Sequence, residues 1–418
     1  MMSEGVSMVS GMDFLGMHEF KKHILVFDHQ WGGGATDYIN NLISSELNSG
    51  SLFMTVRFGT AGCRGRHPLQ GHLDNYSLQF QSLEVNRLIS LNSLSCLLQV
   101  LDKYPCSEII INELVSYPNL YATLDFISGV KNKHGAELSI HIHDYFSVCP
   151  SFFLLNSEKK FCDVPDSDIC EKCFEKLTFS DEYDNIITYR QNWKAFFDQC
   201  DEVVVFSNSS EAILEKVYGA NLKISVKPHR VDYITKVSKL LKTTNTLNIG
   251  VLGAINEPKG VFIIQEIIDI IEAQGLNIKV ILLGDHYGII AENKHILTTG
   301  KYEKSDIPHL TVSNDIDMFF VPSICPETFS YTTEEIIKMG MPVACFNIGA
   351  PSDRVGNYEK GLLIDKIDAK YALNAITEYL QDADTMGAKA GLIRKGLHSL
   401  RTNGLRNTFE RIAMHLRN

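Results

Sequence analysis

One local pattern occurs in both halves of this chain and limits the folds open to it. His23-Ile24-Leu25-Val26-Phe27 is an apolar run of strand length, followed by a glycine loop, Gly32-Gly33-Gly34-Ala35, and a helical stretch through Tyr38, Ile39 and Leu42. Leu247-Asn248-Ile249-Gly250-Val251-Leu252-Gly253 restarts it. A loop from Ala254 to Gly260 follows, then a helix over 261–272 with Ile264, Ile267, Ile268 and Ile271 on one face. Apolar runs without polar alternation belong to strands covered on both faces, as in parallel sheets flanked by helices. Glycines let a backbone approach a ligand closely, and a helix start offers free N–H groups. Neither loop is a G-x-G-x-x-G or a Walker A sequence.

Further strands are expected at 52–58, 77–82, 108–111, 138–143 and 202–206, with helices at 88–101 and 186–199, the latter turning Trp193, Phe196 and Phe197 inward. Strands alternating with helices imply an α/β fold with parallel, doubly wound sheets. At 418 residues the chain exceeds one ordinary core, so two domains of roughly 200 residues each are expected. The polar stretch 236–246 marks the junction. This divides the chain into a loose lead-in at 1–20, a first domain at 21–235, a second at 236–400 and a terminal helix at 401–418. That helix carries Leu405, Phe409, Ile412 and Leu416 at helical spacing.

The net charge of −11 argues against a nucleic-acid partner, because no strong basic stripe is available to neutralise phosphates. The late basic residues Arg394, Lys395, Arg401, Arg406, Arg411 and Arg417 read as a solvated face, or as weak attraction to an anionic membrane surface. No run approaches the ~20 apolar residues that span a bilayer, and no secretory pattern opens the chain. The expected location is cytoplasmic, with at most peripheral membrane contact. Ten cysteines should then be mostly reduced. Cys149, Cys162, Cys170 and Cys173 are separated by twelve, seven and two residues. They could close a structural Zn site, or stand as four free or buried thiols.

The densest motif starts at an apolar run over 317–321. Pro322-Ser323-Ile324-Cys325-Pro326-Glu327-Thr328-Phe329-Ser330-Tyr331-Thr332-Thr333-Glu334-Glu335 follows, then Gly340-Met341-Pro342-Val343. Glu327 falls in the loop and Glu335 near the helix start, at the sheet edge where α/β proteins bind phosphorylated ligands. Glu335 could equally complete a capping box with Thr332. On the first half, Leu138 to Asp144 ends a strand with two histidines on one face, of which His143 lies nearer the C-terminal edge than His141.

Glu-x7-Glu with the following Gly-x-Pro-Val resembles the signature of glycosyltransferase family 4, the retaining GT-B nucleotide-sugar transferases. Gly253-x4-Pro258-Lys259-Gly260 is similar to that family's donor-phosphate loop, and Gly32 to Ala35 match its cleft glycines in position. The resemblance implies two Rossmann-like domains facing across a cleft, with the terminal helix crossing back onto the first. It implies a nucleotide-diphosphate sugar in the second domain and a glycan or lipid-linked acceptor, in bacterial surface polysaccharide synthesis, on the first.

Residue by residue, it assigns Lys259 to the diphosphate together with the N–H groups of Phe329, Ser330 and Tyr331, and Gly33, Gly34 and Gly253 to the cleft. It assigns Glu327 to the sugar hydroxyls, Glu335 to the ribose and His143 to the donor sugar from the facing domain. No Mg²⁺ or other cofactor is required in this scheme. Asp285 and His286 fall near the base or form a turn. One departure stands out: many members carry Arg after the first glycine, where this chain has Ala254. Arg230 or Lys227 could take its place. A GT-B sugar-nucleotide epimerase and a degenerate transferase acting as a partner protein remain the alternatives.

Overall fold

The computed structural model describes residues 19–59, 76–177, 182–238, 245–287, 290 and 293–381. The expected terminal helix, the late arginines and nearly all of the lead-in lie outside these residues.

The first sheet has eight strands: β1 (Lys22–His29), β2 (Ser51–Phe58), β3 (Tyr76–Gln81), β4 (Asn86–Leu91), β5 (Glu108–Ile111), β6 (Glu137–His141), β7 (Glu202–Val205) and β8 (Ile224–Val226). Their order across the sheet is β4-β3-β2-β1-β5-β6-β7-β8. Pairing from β2 to β8 is parallel, whereas β3 pairs antiparallel with both β2 and β4. The sheet is therefore mixed, not wholly parallel as expected. Helices α1 (Gly34–Glu46), α2 (Ser95–Lys103), α3 (Leu120–His134), α4 (Ser167–Lys176), α5 (Ile186–Phe197) and α6 (Asn208–Tyr218) accompany it. The helix expected over 88–101 is in fact the end of β4 followed by α2. Leu88 points outward from this edge strand and is 67% exposed, so its apolar character carries no core signal.

The second sheet holds β9 (Leu247–Leu252), β10 (Ile278–Leu283), β11 (Ile296–Thr298), β12 (Met318–Val321), β13 (Val343–Phe346) and β14 (Gly361–Ile364), all parallel, in the order β11-β10-β9-β12-β13-β14. Counted along the chain, this runs third, second, first, fourth, fifth, sixth, the order of a Rossmann sheet. Its helices are α7 (Val261–Gln274), α8 (Ile307–Ser313), α9 (Tyr331–Met339) and α10 (Gly349–Val355). The segment from Gly349 to Asp353 forms the first part of α10.

Each sheet is packed on both faces. In the first, Phe27, Leu52, Leu138 and Trp193 belong to one core and Val26, Ile39, Phe53 and Ile110 to the other. In the second, Ile249, Ile268 and Phe320 lie opposite Leu283, Phe319 and Ile336. This two-sided burial is why the strands are continuous apolar runs.

The two layers meet along their C-terminal strand edges. Asp353 of α10 accepts hydrogen bonds from the backbone N (2.9 Å) and the hydroxyl (2.6 Å) of Ser209 in α6. Asp37 of α1 pairs with Lys304 at 2.7 Å. Asp353→Asn is expected to cost about 1–2 kcal/mol, read as a lowered urea midpoint.

Candidate functional site

Where strand order reverses, the loops leaving neighbouring strands diverge and open a crevice. In the second sheet this occurs between β9 and β12, so the loops 253–260 and 322–330 flank the same opening. Gly260 allows them to approach. It has φ +81°, and a methyl group in place of its hydrogen would lie 2.0 Å from the carbonyl oxygen of Pro322. Ile324 N donates to Pro258 O at 2.9 Å and ties the loops together. The outcome is direct contact between two of the expected residues: the Lys259 ammonium donates to Glu327 Oε2, while the Ser323 hydroxyl donates to Oε1. Burial works to lower the Lys259 pKa, but the neighbouring Glu327 carboxylate outweighs it and the net shift is upward. The Glu327 side chain is 7% exposed and that of Lys259 38%. A nearly dry carboxylate thus holds a cation whose other side still reaches solvent.

The helix after Glu327 starts differently from the capping box drawn above. Ser330 is the N-cap, and its hydroxyl accepts from Thr333 N at 3.4 Å. Glu335 does not cap. It is buried and accepts a hydrogen bond from the Tyr233 hydroxyl at 2.5 Å. Burial raises its pKa, and the Tyr233 bond and nearby Lys304 pull it partly back. The backbone N–H groups of Phe329, Ser330 and Tyr331 donate to no atom among the described residues, so they are available to an anion. A methyl at Gly253 would lie 3.1 Å from Thr332 Cγ2, placing that loop against the same helix start.

The first sheet reverses between β1 and β5. Gly33, with φ +87°, turns the chain from β1 into α1, and Gly34 is the first residue of that helix. A methyl at Gly34 would come within 3.2 Å of the Tyr331 ring, so the glycine loop faces α9 across the cleft. His143, just past β6, does the same: its carbonyl accepts from the Thr328 hydroxyl at 2.8 Å. Its ring packs against Tyr38 (5.0 Å) and Phe206 (4.6 Å). His143, Glu327, Lys259 and the α9 start are thereby brought to one cleft.

Three participants were not singled out from the sequence. Asn112, Tyr233 and His229 each act through a tertiary partner. His229 stacks on Phe329 at 4.4 Å, and its Nδ1 lies 2.5 Å from the Tyr331 hydroxyl. Only Asn112 left a local trace, as the first polar residue after the run Ile109-Ile110-Ile111. Of the candidates to replace an arginine at Ala254, Lys227 is paired with Glu202 on β7, and Arg230 is exposed. Ile255 N and Tyr287 N bridge the 253–260 loop to the Asp285–His286 turn.

The four cysteines share one insertion. Cys149 lies close enough to Cys162 and Cys170 for their charges to oppose one another, as does Cys162 to Cys170 and Cys173. Burial pushes Cys149 up to about 12 and raises Cys162. Among the described residues, no group of three or more His, Cys, Asp or Glu side chains is arranged to hold a metal ion. Hydrogen bonds tie the insertion down: Cys170 Sγ donates to Pro165 O at 3.3 Å, and Arg190 donates from Nε to Val148 O at 3.0 Å and from Nη2 to Cys170 Sγ at 3.5 Å.

Comparison with known proteins agrees with this geometry. Residues 233–391 match the family model described as glycosyl transferases group 1. That match spans the second sheet, from β9 to β14. A curated relative is the capsular polysaccharide biosynthesis glycosyltransferase CapM of Staphylococcus aureus, 26% identical over 186 residues. That alignment covers 43% of this chain and 46% of CapM, so the chain matches about half the length of this relative. Among solved structures, the sucrose-phosphate synthase of Thermosynechococcus elongatus superposes with a TM-score of 0.57 at 14% identity, over 91% of this chain and 100% of that one. HepE of Anabaena, solved in complex with UDP-glucose, gives 0.54 at 16% identity over 87% and 91%. The fold is GT-B, with two Rossmann-like domains. No helix among the described residues is long and apolar enough to cross a membrane.

Proposed function

We propose that this protein is a retaining glycosyltransferase that moves a hexose from a nucleotide-diphosphate sugar to a glycan or lipid-linked glycan in polysaccharide synthesis. The observation carrying this reading is the Lys259–Glu327 pair at the β9/β12 crevice, beside the N–H groups that open α9 and have no partner among the described residues. The pair offers a cation for a diphosphate and a carboxylate for a sugar hydroxyl or for positive charge developing at the anomeric carbon. The family match of the second domain favours transfer chemistry, the name of CapM favours a capsule-type polysaccharide, and the UDP-glucose complex of HepE favours a nucleotide-sugar donor.

In this scheme the bond between the anomeric carbon and the diphosphate oxygen breaks with its electron pair on the phosphate. Lys259 and the α9 N–H groups stabilise that charge. The acceptor hydroxyl oxygen bonds to the same face of the anomeric carbon, and its proton passes to the departing phosphate oxygen. Glu335 receives the ribose hydroxyls and His143 the donor sugar. Glycine loop 32–34 lines the cleft beside the donor, and the first domain holds the acceptor.

The test is a thermal-shift screen of UDP-, GDP- and dTDP-sugars, followed by donor turnover with Glu327→Ala as the control. A ligand bound only by the folded state raises the transition temperature. Stabilisation by one nucleotide class, with turnover abolished in Glu327→Ala, is expected. No stabilisation by any donor, or an epimerised donor as the product by NMR, contradicts the proposal.

Tyr233→Phe tests the nucleotide end. It removes one hydrogen bond to Glu335 and leaves that carboxyl easier to protonate, since burial already raises its pKa. The donor KM is expected to rise about three- to tenfold, with kcat nearly unchanged and the defect growing as pH falls. Steady-state kinetics at two pH values measures this.

A further inference from the structure

The three strand ends that meet at the first-sheet crevice carry Asp28 on β1, Asn112 after β5 and His143 after β6. Asp28 and Asn112 are 0% and 1% exposed. Asp28 Oδ2 accepts from Arg57 Nε at 3.0 Å. Its Oδ1 lies 2.8 Å from Asn112 Nδ2, which also reaches the carbonyl oxygen of Ala35 at 3.1 Å. A carbonyl oxygen can only accept, so the NH₂ end of the Asn112 amide must face Ala35 and Asp28. The opposite end, Oδ1, is therefore the atom 2.9 Å from His143 Nε2. Because Oδ1 can only accept, the proton of this bond sits on Nε2. Burial, followed by the neighbouring His229, His141 and His29, holds the imidazole neutral, so Nδ1 is left with a lone pair. Nδ1 finds no hydrogen-bond partner among the described residues.

We propose that Asn112 is a positioning residue that locks His143 in its Nε2–H tautomer, so that Nδ1 accepts a hydrogen bond from a hydroxyl of the donor sugar. Arg57 and Asp28 act through Asn112 by fixing which way its amide points. A histidine whose other nitrogen is held by a buried acceptor presents a defined face to its ligand. The consequence is selectivity for a hydroxyl donor at this point and against a carboxylate, which has no hydrogen to give. The inference rests on the reading that His143 meets the donor sugar.

The experiment is ¹⁵N NMR of the His143 ring in the full chain, with donor kinetics for Asn112→Ala and His143→Ala. The wild type is expected to show Nε2 protonated and Nδ1 unprotonated. Asn112→Ala should give a mixed tautomer signal and a donor KM raised about tenfold. An Nδ1–H form in the wild type overturns the proposal, and that spectrum is available even if Asn112→Ala fails to fold. An unchanged signal in Asn112→Ala overturns it as well. The expected tautomer together with unchanged donor affinity in His143→Ala also overturns it, and shows that the failing part is the placement of the donor sugar, not the Asn112 geometry.

Discussion

Lys259→Met is expected to lower donor turnover about 10²- to 10³-fold, the scale of losing one preorganised group that stabilises developing charge. Methionine keeps the length and apolar stem of lysine and removes the ammonium. The diphosphate then loses its cation in a site where Ala254 already stands in place of an arginine, so no second charge on that loop compensates. The change also strands Glu327, whose side chain is 7% exposed and loses its ion-pair partner while keeping the Ser323 hydroxyl. A buried carboxylate without a partner is costly, so the variant should be less stable as well as slower. Glu327→Gln separates the effects: it should be comparably slow while retaining stability, because an amide can still accept from Ser323. The double variant should be about as slow as the worse single one, since the two groups act as a unit. Steady-state kinetics and urea unfolding of the three proteins measure this. Single variants within threefold of the wild type would remove the pair from the mechanism.

What could be read in the sequence divides along the range of the interactions. The interior strands were legible because two-sided burial writes them as apolar runs, and the parallel pairing of the second sheet follows from strands alternating with helices. Strand β4 was not legible: an edge strand with Leu88 facing solvent lacks the inside-outside contrast that separates a period of two from a helical one. Glu335 shows the limit of a local rule. A capping box from Thr332 was chemically reasonable, but Ser330 took the N-cap, and Tyr233, 102 residues away, took the carboxylate. Lys259 and Glu327 were each visible in motifs, but their direct contact depends on Gly260 letting the loop pass against Pro322. Asn112 makes the same point more strongly. Its neighbours Asp28 and His143 are set by strand order, which no spacing along the chain encodes.

The first-sheet edge also predicts acid sensitivity. His141, His143 and His229 gather near the aromatic rings of Tyr38 and Phe206, and His29 lies close enough to His143 to oppose its charge. Burial pushes His141 down to about 4 and, with His141 adding repulsion, His229 down to about 3. Their folded pKa values lie below the ordinary 6.5. Between the two values the unfolded chain takes up the proton and the folded protein does not. Stability from this source is therefore complete above about pH 6.5 and is lost as pH falls toward 4. Each such histidine contributes a slope approaching about 1.4 kcal/mol per pH unit in that window. For His141 alone the full loss is roughly 3 kcal/mol. Glu113 works the other way. Burial, then Asp144, raises its pKa well above the usual carboxylate range, so its contribution is present in acid and lost as pH rises through its folded pKa. The wild-type profile is thus a difference of opposing terms, and a variant isolates one of them. His141→Gln is expected to flatten the dependence of unfolding free energy on pH by about 1.4 kcal/mol per unit below pH 6, measured by urea titration at a series of pH values. Parallel profiles for wild type and variant would mean that His141 takes up its proton in the folded protein as readily as in the unfolded chain, and that Glu202, the nearby carboxylate that favours its charged form, outweighs its burial.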